Sequence, residues 1–326
     1  MATVRIILGT PVNSRPKPWL YFRVPAIMVN AFDIMRSRGS RREHVIKNVL
    51  QYDGEVWMDS GGFQFLRHGK VPNIEDLAKV YSQYWDIRYF LNLDYPPSPP
   101  TDDEHDLETK LRKSLNNYEY LIRRFDNVLP VIHYHWRTEV ITKYIIKYLD
   151  YNPKCIAIGG LVPYVLISKG VPKDSRRSAI KFLLRTKQET GMCIHVLGLG
   201  SPVINPILKF INIDSTDTST WRVKAAYGKV VMPGGGERHV SGRSINFGGG
   251  KEASRDDLVR LYAFLRDTGF PVIDRFNDIM TSFEYRALVN AWVVLNSFEE
   301  PSTGVFRAIY DELTREVSAK ITEEAR

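Results

Sequence analysis

The feature that most constrains this chain is an alternation of two kinds of segment. Short runs rich in β-branched and apolar residues recur at Ala26–Val29, Glu55–Met58, Tyr89–Leu93, Val128–Ile132, Cys155–Ile158, Ile194–Leu197, Phe210–Ile213 and Val230–Met232. Between and after them lie longer segments with apolar residues spaced by three and four, as in Ile74–Trp85, Asp103–Phe125, Glu139–Tyr148 and Arg177–Lys187. The first pattern predicts strands and the second predicts helices that bury one face on a sheet. Strand then helix, repeated, implies parallel strands joined by crossovers. Eight such strands within roughly 230 residues predict an α/β fold, a closed (β/α)₈ TIM barrel. A doubly wound open sheet is the rival, but no GxGxxG opens a helix after the first strand.

The barrel is expected over about residues 1–235, followed by a Gly-rich loop at 233–252 and a helical C-terminal part over 254–326, all in a single domain. Composition adds limits on function. The net charge is +8, which favours a polyanionic partner without requiring one. The two cysteines, Cys155 and Cys193, sit in apolar runs and read as separate buried thiols. The N-terminus lacks a signal-peptide pattern, and no apolar run reaches ~18 residues. A cytoplasmic protein without a membrane partner is expected.

In a barrel of this kind, chemistry collects at the C-terminal ends of the strands. There the sequence places Asp59-Ser60-Gly61-Gly62-Phe63-Gln64, Asp94-Tyr95, His133-Tyr134-His135, Gly159-Gly160-Leu161, Gly198-Leu199-Gly200 and Asp214-Ser215-Thr216-Asp217. Taken singly, an aspartate after a strand is an ordinary N-cap, and paired glycines make a tight turn. Three strands delivering carboxylates to one face is different. Like charges so placed repel, and that arrangement suits acid–base or nucleophilic work.

These strand-end residues resemble those of the tRNA-guanine transglycosylase superfamily. The resemblance lies in MDSGGFQF at Met58–Phe65, AIGGL at Ala157–Leu161, HVLGLGSP at His195–Pro202 and NIDSTD at Asn212–Asp217, and it covers roughly Ala26 to Gly234. It implies that Asp217 is the nucleophile and that Asp59 handles the proton of the base. It implies that Asp94, with Ser60, Phe63, Gln64, His133, Gly159, Gly160 and Leu161, holds the base, and that Asp214 is a structural companion acid. Phe63 or Tyr95 could stack on the base, though core packing explains either ring equally well.

The chain also departs from the family pattern. His133 stands where glutamine is usual, and Thr218–Arg222 replaces the usual segment after the nucleophile. The family's structural zinc needs three cysteines and a histidine after the barrel, whereas both cysteines here lie upstream. A zinc-less, barrel-only chain most resembles the DNA 7-deazaguanine transglycosylase branch, some members of which are encoded by viruses and phages. The implied reaction exchanges a guanine in nucleic acid for a 7-deazaguanine such as preQ0, with DNA favoured and tRNA the alternative. It needs no metal or redox cofactor, and it is compatible with a homodimer. Arg222, Lys224, Arg238 and Arg243 are the expected nucleic-acid contacts, with Arg36, Arg38, Arg41 and Arg42 as a further basic cluster. A queuine- or archaeosine-type tRNA enzyme, hydrolysis of the same bond, and a non-catalytic nucleic-acid-binding homologue remain open alternatives.

Overall fold

A computed structural model describes residues 3–36, 45–62, 64, 71–98, 102–166, 171, 174–241, 251–301 and 304–324. The chain divides into two compact units. One comprises Arg5–Leu199 and Ile213–Ser219; the other comprises Met1–Val4, Gly200–Asn212 and Thr220–Arg326.

The first unit is the barrel. Its strands are β1 (Arg5–Gly9), β2 (Ala26–Asn30), β3 (Glu55–Asp59), β4 (Tyr89–Leu91), β5 (Val128–Leu129), β6 (Val131–His133), β7 (Cys155–Gly159), β8 (Cys193–Val196) and β9 (Ser215–Thr218). They pair in parallel in the order β5-β4-β3-β2-β1-β9-β8-β7-β6. The two ends of this sheet, β5 and β6, are halves of one stave separated by Pro130, whose nitrogen cannot donate to a ladder. Eight staves therefore close on themselves, as the alternation predicts.

Side chains alternate across a strand, so every second residue faces the barrel axis. The inward set includes Ile7, Met28, Trp57, Leu91, Leu129, Val131, Cys155 and Ala157, which form one buried cluster. At its N-terminal end the interior is plugged by polar groups. Arg5 Nη1 lies 2.8 Å from Glu55 Oε1, and Trp57 Nε1 donates to the same oxygen at 2.6 Å. Continuing the same parity by one step brings Asn30, Asp59, His133, Gly159 and Asp217 to the C-terminal rim.

Three strand expectations need correction. Arg5–Gly9 is a strand, N-terminal to the first of the runs expected to form one. Phe210–Ile213 is not one: it finishes the helix Asn205–Phe210, and buried Ile204, Ile207, Leu208 and Ile211 follow the helical period. The stave in its place is β9, whose sequence STDT is polar because two of its residues face the site. Val230–Met232 is no stave either. Lys229–Val231 (β10) belongs to the second unit and pairs antiparallel with Glu237–His239 (β11). Gly234, Gly235 and Gly236 all have positive φ and turn the chain back between them. The first glycine triplet is thus a hairpin turn, while Gly248–Gly250 lie outside the described residues.

Cys155 and Cys193 are not the separate thiols expected. They are register partners on β7 and β8, with Cα atoms 4.5 Å apart, and are joined as a disulfide. The runs CIAIGG and CIHVLG revealed their burial but not that they stand side by side. In the second unit the helices Arg255–Asp267, Phe283–Asn296 and Gly304–Glu324 bear out the helical C-terminal part. Asn290 on the second of these accepts from Val231 N at 2.7 Å and donates to Trp221 and Lys229 carbonyls, tying the hairpin down. Among the described residues, no helix is long and apolar enough to cross a membrane.

Candidate active site

The site lies at the C-terminal rim of the barrel and is built from residues of the first unit. Asp59 is the last residue of β3. Its Oδ2 accepts from Asn30 Nδ2 at 2.9 Å and from the Gly61 backbone at 3.3 Å. Burial, reinforced by the negative charges of Asp94 and Asp217, raises its carboxyl from the ordinary 3.8 to about 8. Desolvation is the larger cause, because an ion at this depth loses water that two hydrogen bonds do not replace. At neutral pH, Asp59 therefore holds a proton.

Asp94 follows β4 and is buried. Its Oδ2 is 2.5 Å from His133 Nε2, and its Oδ1 accepts from Ser60 Oγ at 3.1 Å. His133 is the last residue of β6, also buried, and its Nδ1 has no hydrogen-bond partner among the described residues. Two glycines allow this pair to sit where it does. A Cβ on Gly62 would lie 2.8 Å from Asp94 Oδ1, and one on Gly159 would lie 2.8 Å from His133 Nδ1. Gly160 has φ +72, and Leu161 is fully buried behind it.

Asp217 points inward from β9. Its Oδ1 accepts from Gly198 N at 2.8 Å, at the turn after β8. Asp214 stands at the opposite end of the same strand. It accepts from Lys187 Nζ at 2.7 Å and from Ile194 N at 2.8 Å, so its role is to anchor β8 and β9 from below. Three carboxylates thus converge at the rim, with Asp59 feeling the charge of both others. The arrangement can give a proton to a ligand at Asp59 and take one back, with the carboxyl groups of Asp94 and Asp217 close by.

The remaining expected residues divide. Gln64 is half-buried, and its Oε1 lacks a hydrogen-bond partner among the described residues. Phe63, Arg38, Arg41, Arg42 and Arg243 lie outside the described residues. Tyr95 is half-buried, and Lys113 Nζ stands 5.5 Å from its ring centre. His135 is fully buried, and that burial lowers its pKa. In the second unit, Lys224 pairs with Glu237, and Arg238 pairs with Asp257 at 2.8 Å. The Arg222 guanidinium lies 5.7 Å from the Phe283 ring centre.

Three residues at the site were not anticipated: Asn30, Trp57 and His195. Continuing the inward parity of AIMVN and EVWMD by position would have found the first two. His195 is fully buried and opens the segment HVLGLGSP, but its flanking residues in CIHV are apolar and give no sign that the ring faces a carboxylate.

No family model matches the chain. A protein of Sulfolobus islandicus rod-shaped virus 1, of uncharacterised function, is 25% identical over 257 residues, covering 75% of this chain and 72% of its own. The tRNA-guanine(15) transglycosylase of Nanoarchaeum equitans is 26% identical over 221 residues, 64% of this chain. That of Thermococcus onnurineus is 25% identical over 248 residues, 74% of this chain. The matches span 50% and 41% of those two enzymes' lengths. The chain is a distant homologue of archaeal tRNA-guanine(15) transglycosylases, and that homology supports placing it in their superfamily.

Proposed function

We propose that this protein exchanges a guanine base in nucleic acid for a 7-deazaguanine, through a covalent aspartyl intermediate. The observation that carries the reading is the convergence of Asp59, Asp94 and Asp217 at the barrel rim, with Asp59 held protonated at neutral pH. Asp217 attacks C1′ of the nucleoside as the C1′–N9 bond breaks, and the bonding pair leaves with the base. The Asp59 proton passes to the departing guanine. The incoming 7-deazaguanine then gives its N9 proton to Asp59. Its nitrogen attacks C1′, and Asp217 is released. Two inversions give net retention, the logic of a retaining glycosyl transfer.

Asp94, locked between Ser60 and His133, presents an acceptor to the donor-rich edge of the base. His133 adds its Nδ1, beside Gly159 and unpartnered among the described residues, and Gly160 and Leu161 supply backbone to the base. The nucleotide must leave its stack to reach this depth.

DNA is the polymer we place first. Both cysteines are committed to one disulfide inside the barrel, which leaves no thiolate in this chain for a zinc subdomain of the tRNA-enzyme type. The second reading, exchange on tRNA, is favoured by the distant homology to archaeal tRNA-guanine(15) transglycosylases. The test incubates the protein with labelled guanine and, separately, duplex DNA, single-stranded DNA or tRNA. Label entering DNA supports the first reading, label entering tRNA alone supports the second, and label entering none refutes both.

A further inference from the structure

His195 occupies the centre of the barrel directly beneath Asp217, and the reaction described above gives it no task. It is fully buried. Its Nε2 lies 3.4 Å from Asp217 Oδ1, and that nitrogen has no hydrogen-bond partner among the described residues. The other nitrogen, Nδ1, lies 2.9 Å from Ser215 Oγ, two residues before Asp217 on the same strand face. The ring is fixed from the side by Trp57, with centroids 4.7 Å apart. Trp57 is itself tethered to Glu55, and Glu55 to Arg5, at the floor of the barrel.

Burying an imidazole without a partner on one nitrogen costs free energy, whereas an apolar ring of similar shape would fill the space without that cost. The Ser215 hydroxyl can donate to Nδ1, and the ring proton then resides on Nε2, the nitrogen that faces the carboxylate. Oδ1 of Asp217 also receives the Gly198 amide at 2.8 Å. The Gly198 hydrogen bond and the nearer ring nitrogen of His195 therefore fall on the same oxygen.

We propose that His195 is a positioning residue for Asp217. Its Nε2–H and the Gly198 amide together hold Oδ1 inward, and Oδ2 is left as the oxygen that attacks C1′. The proposal rests on the reading of Asp217 as nucleophile. It assigns to Ser215 the setting of the histidine tautomer, and to the Trp57–Glu55–Arg5 column the fixing of the ring plane.

Three substitutions separate positioning from packing. His195→Gln keeps a donor near the Nε2 position, His195→Asn keeps a polar group only near Nδ1, and His195→Phe keeps the ring shape alone. In single-turnover trapping of the covalent adduct on the active polymer, Asn and Phe are expected to slow adduct formation by about 100-fold, the cost of a misplaced reacting atom. KM for the polymer should stay within about threefold, and Gln should recover most of the rate. The opposite ranking, with Phe active and Gln inactive, would show that the ring serves packing and would overturn the proposal. The imidazole ¹⁵N signals of the wild-type protein give a readout that needs neither turnover nor the variants. Nε2 should carry the proton and shift on Asp217→Asn, whereas a proton found on Nδ1 would also overturn it. If the wild-type protein exchanges no base on any polymer, the proposed function fails, and the ¹⁵N signals still decide the contact.

Discussion

The protonated state of Asp59 has a thermodynamic signature that can be measured without any substrate. Its carboxyl titrates at about 8 in the fold and near the ordinary 3.8 in the unfolded chain. Between these values the folded protein holds a proton that the unfolded chain has released. Stability therefore falls as pH rises through this window, by about 1.36 kcal/mol for each pH unit. The contribution is absent below the unfolded value and complete above about pH 8, where it totals roughly 5–6 kcal/mol. Asp59→Asn removes the ionisation while keeping an oxygen that can accept from Asn30. Its stability relative to wild type should climb steadily from pH 4 to pH 8 and level off above, on the order of 4 kcal/mol of the climb being in place by pH 7. Any lost hydrogen bond shifts this difference by a constant and leaves its slope. Urea unfolding of both proteins at unit pH intervals from 4 to 9 measures it. A difference that stays flat from pH 5 to pH 8 would refute the assignment of the proton to Asp59.

Other consequences follow from the same site. Exchange should require protonated Asp59, so kcat/KM should fall about tenfold per pH unit above about pH 8, as a pH–rate profile will show. Asp217→Asn should abolish exchange and the trappable adduct while leaving the thermal midpoint within a few degrees of wild type. If it turned over normally while Asp214→Asn did not, the two acids would have exchanged roles. Gly159→Ala would bring a methyl group to 2.8 Å from His133 Nδ1. It should weaken binding of the free base more than tenfold, read by calorimetry, with a stability loss of about 1–3 kcal/mol.

The sequence made the architecture legible through periodicity and made much of the site legible through position. Asp59, His133 and Gly159 could be placed because each closes a run whose parity is clear. β9 was hidden for a physical reason. STDT turns Ser215 and Asp217 toward the barrel axis, so the strand that carries the proposed nucleophile lacks the apolar pattern by which strands are found. The nearby apolar run mimics a stave in composition, although its spacing is helical. The disulfide and the His195–Asp217 contact join positions 38 and 22 residues apart. Neither spacing implies proximity until the register of β7, β8 and β9 is known.

The break at Pro130 affects more than strand assignment. On the β4 side of this stave, Asn92 N donates to Leu129 O at 3.0 Å, and regular parallel pairing would next have Val131 N donate to the Asn92 carbonyl. That amide donates instead to the Asn92 side-chain oxygen. The same side chain also reaches the Ser114 carbonyl at 3.0 Å. Two residues beyond Asn92 stands Asp94, and two beyond Val131 stands His133. The alignment of these two partners across the seam thus depends on one carboxamide that can rotate, whereas elsewhere a peptide carbonyl sets the rung. Amide exchange at Val131 accordingly reports on the seam, and a substitution at Asn92 is expected to loosen the acceptor side of the site while the rest of the barrel stays intact.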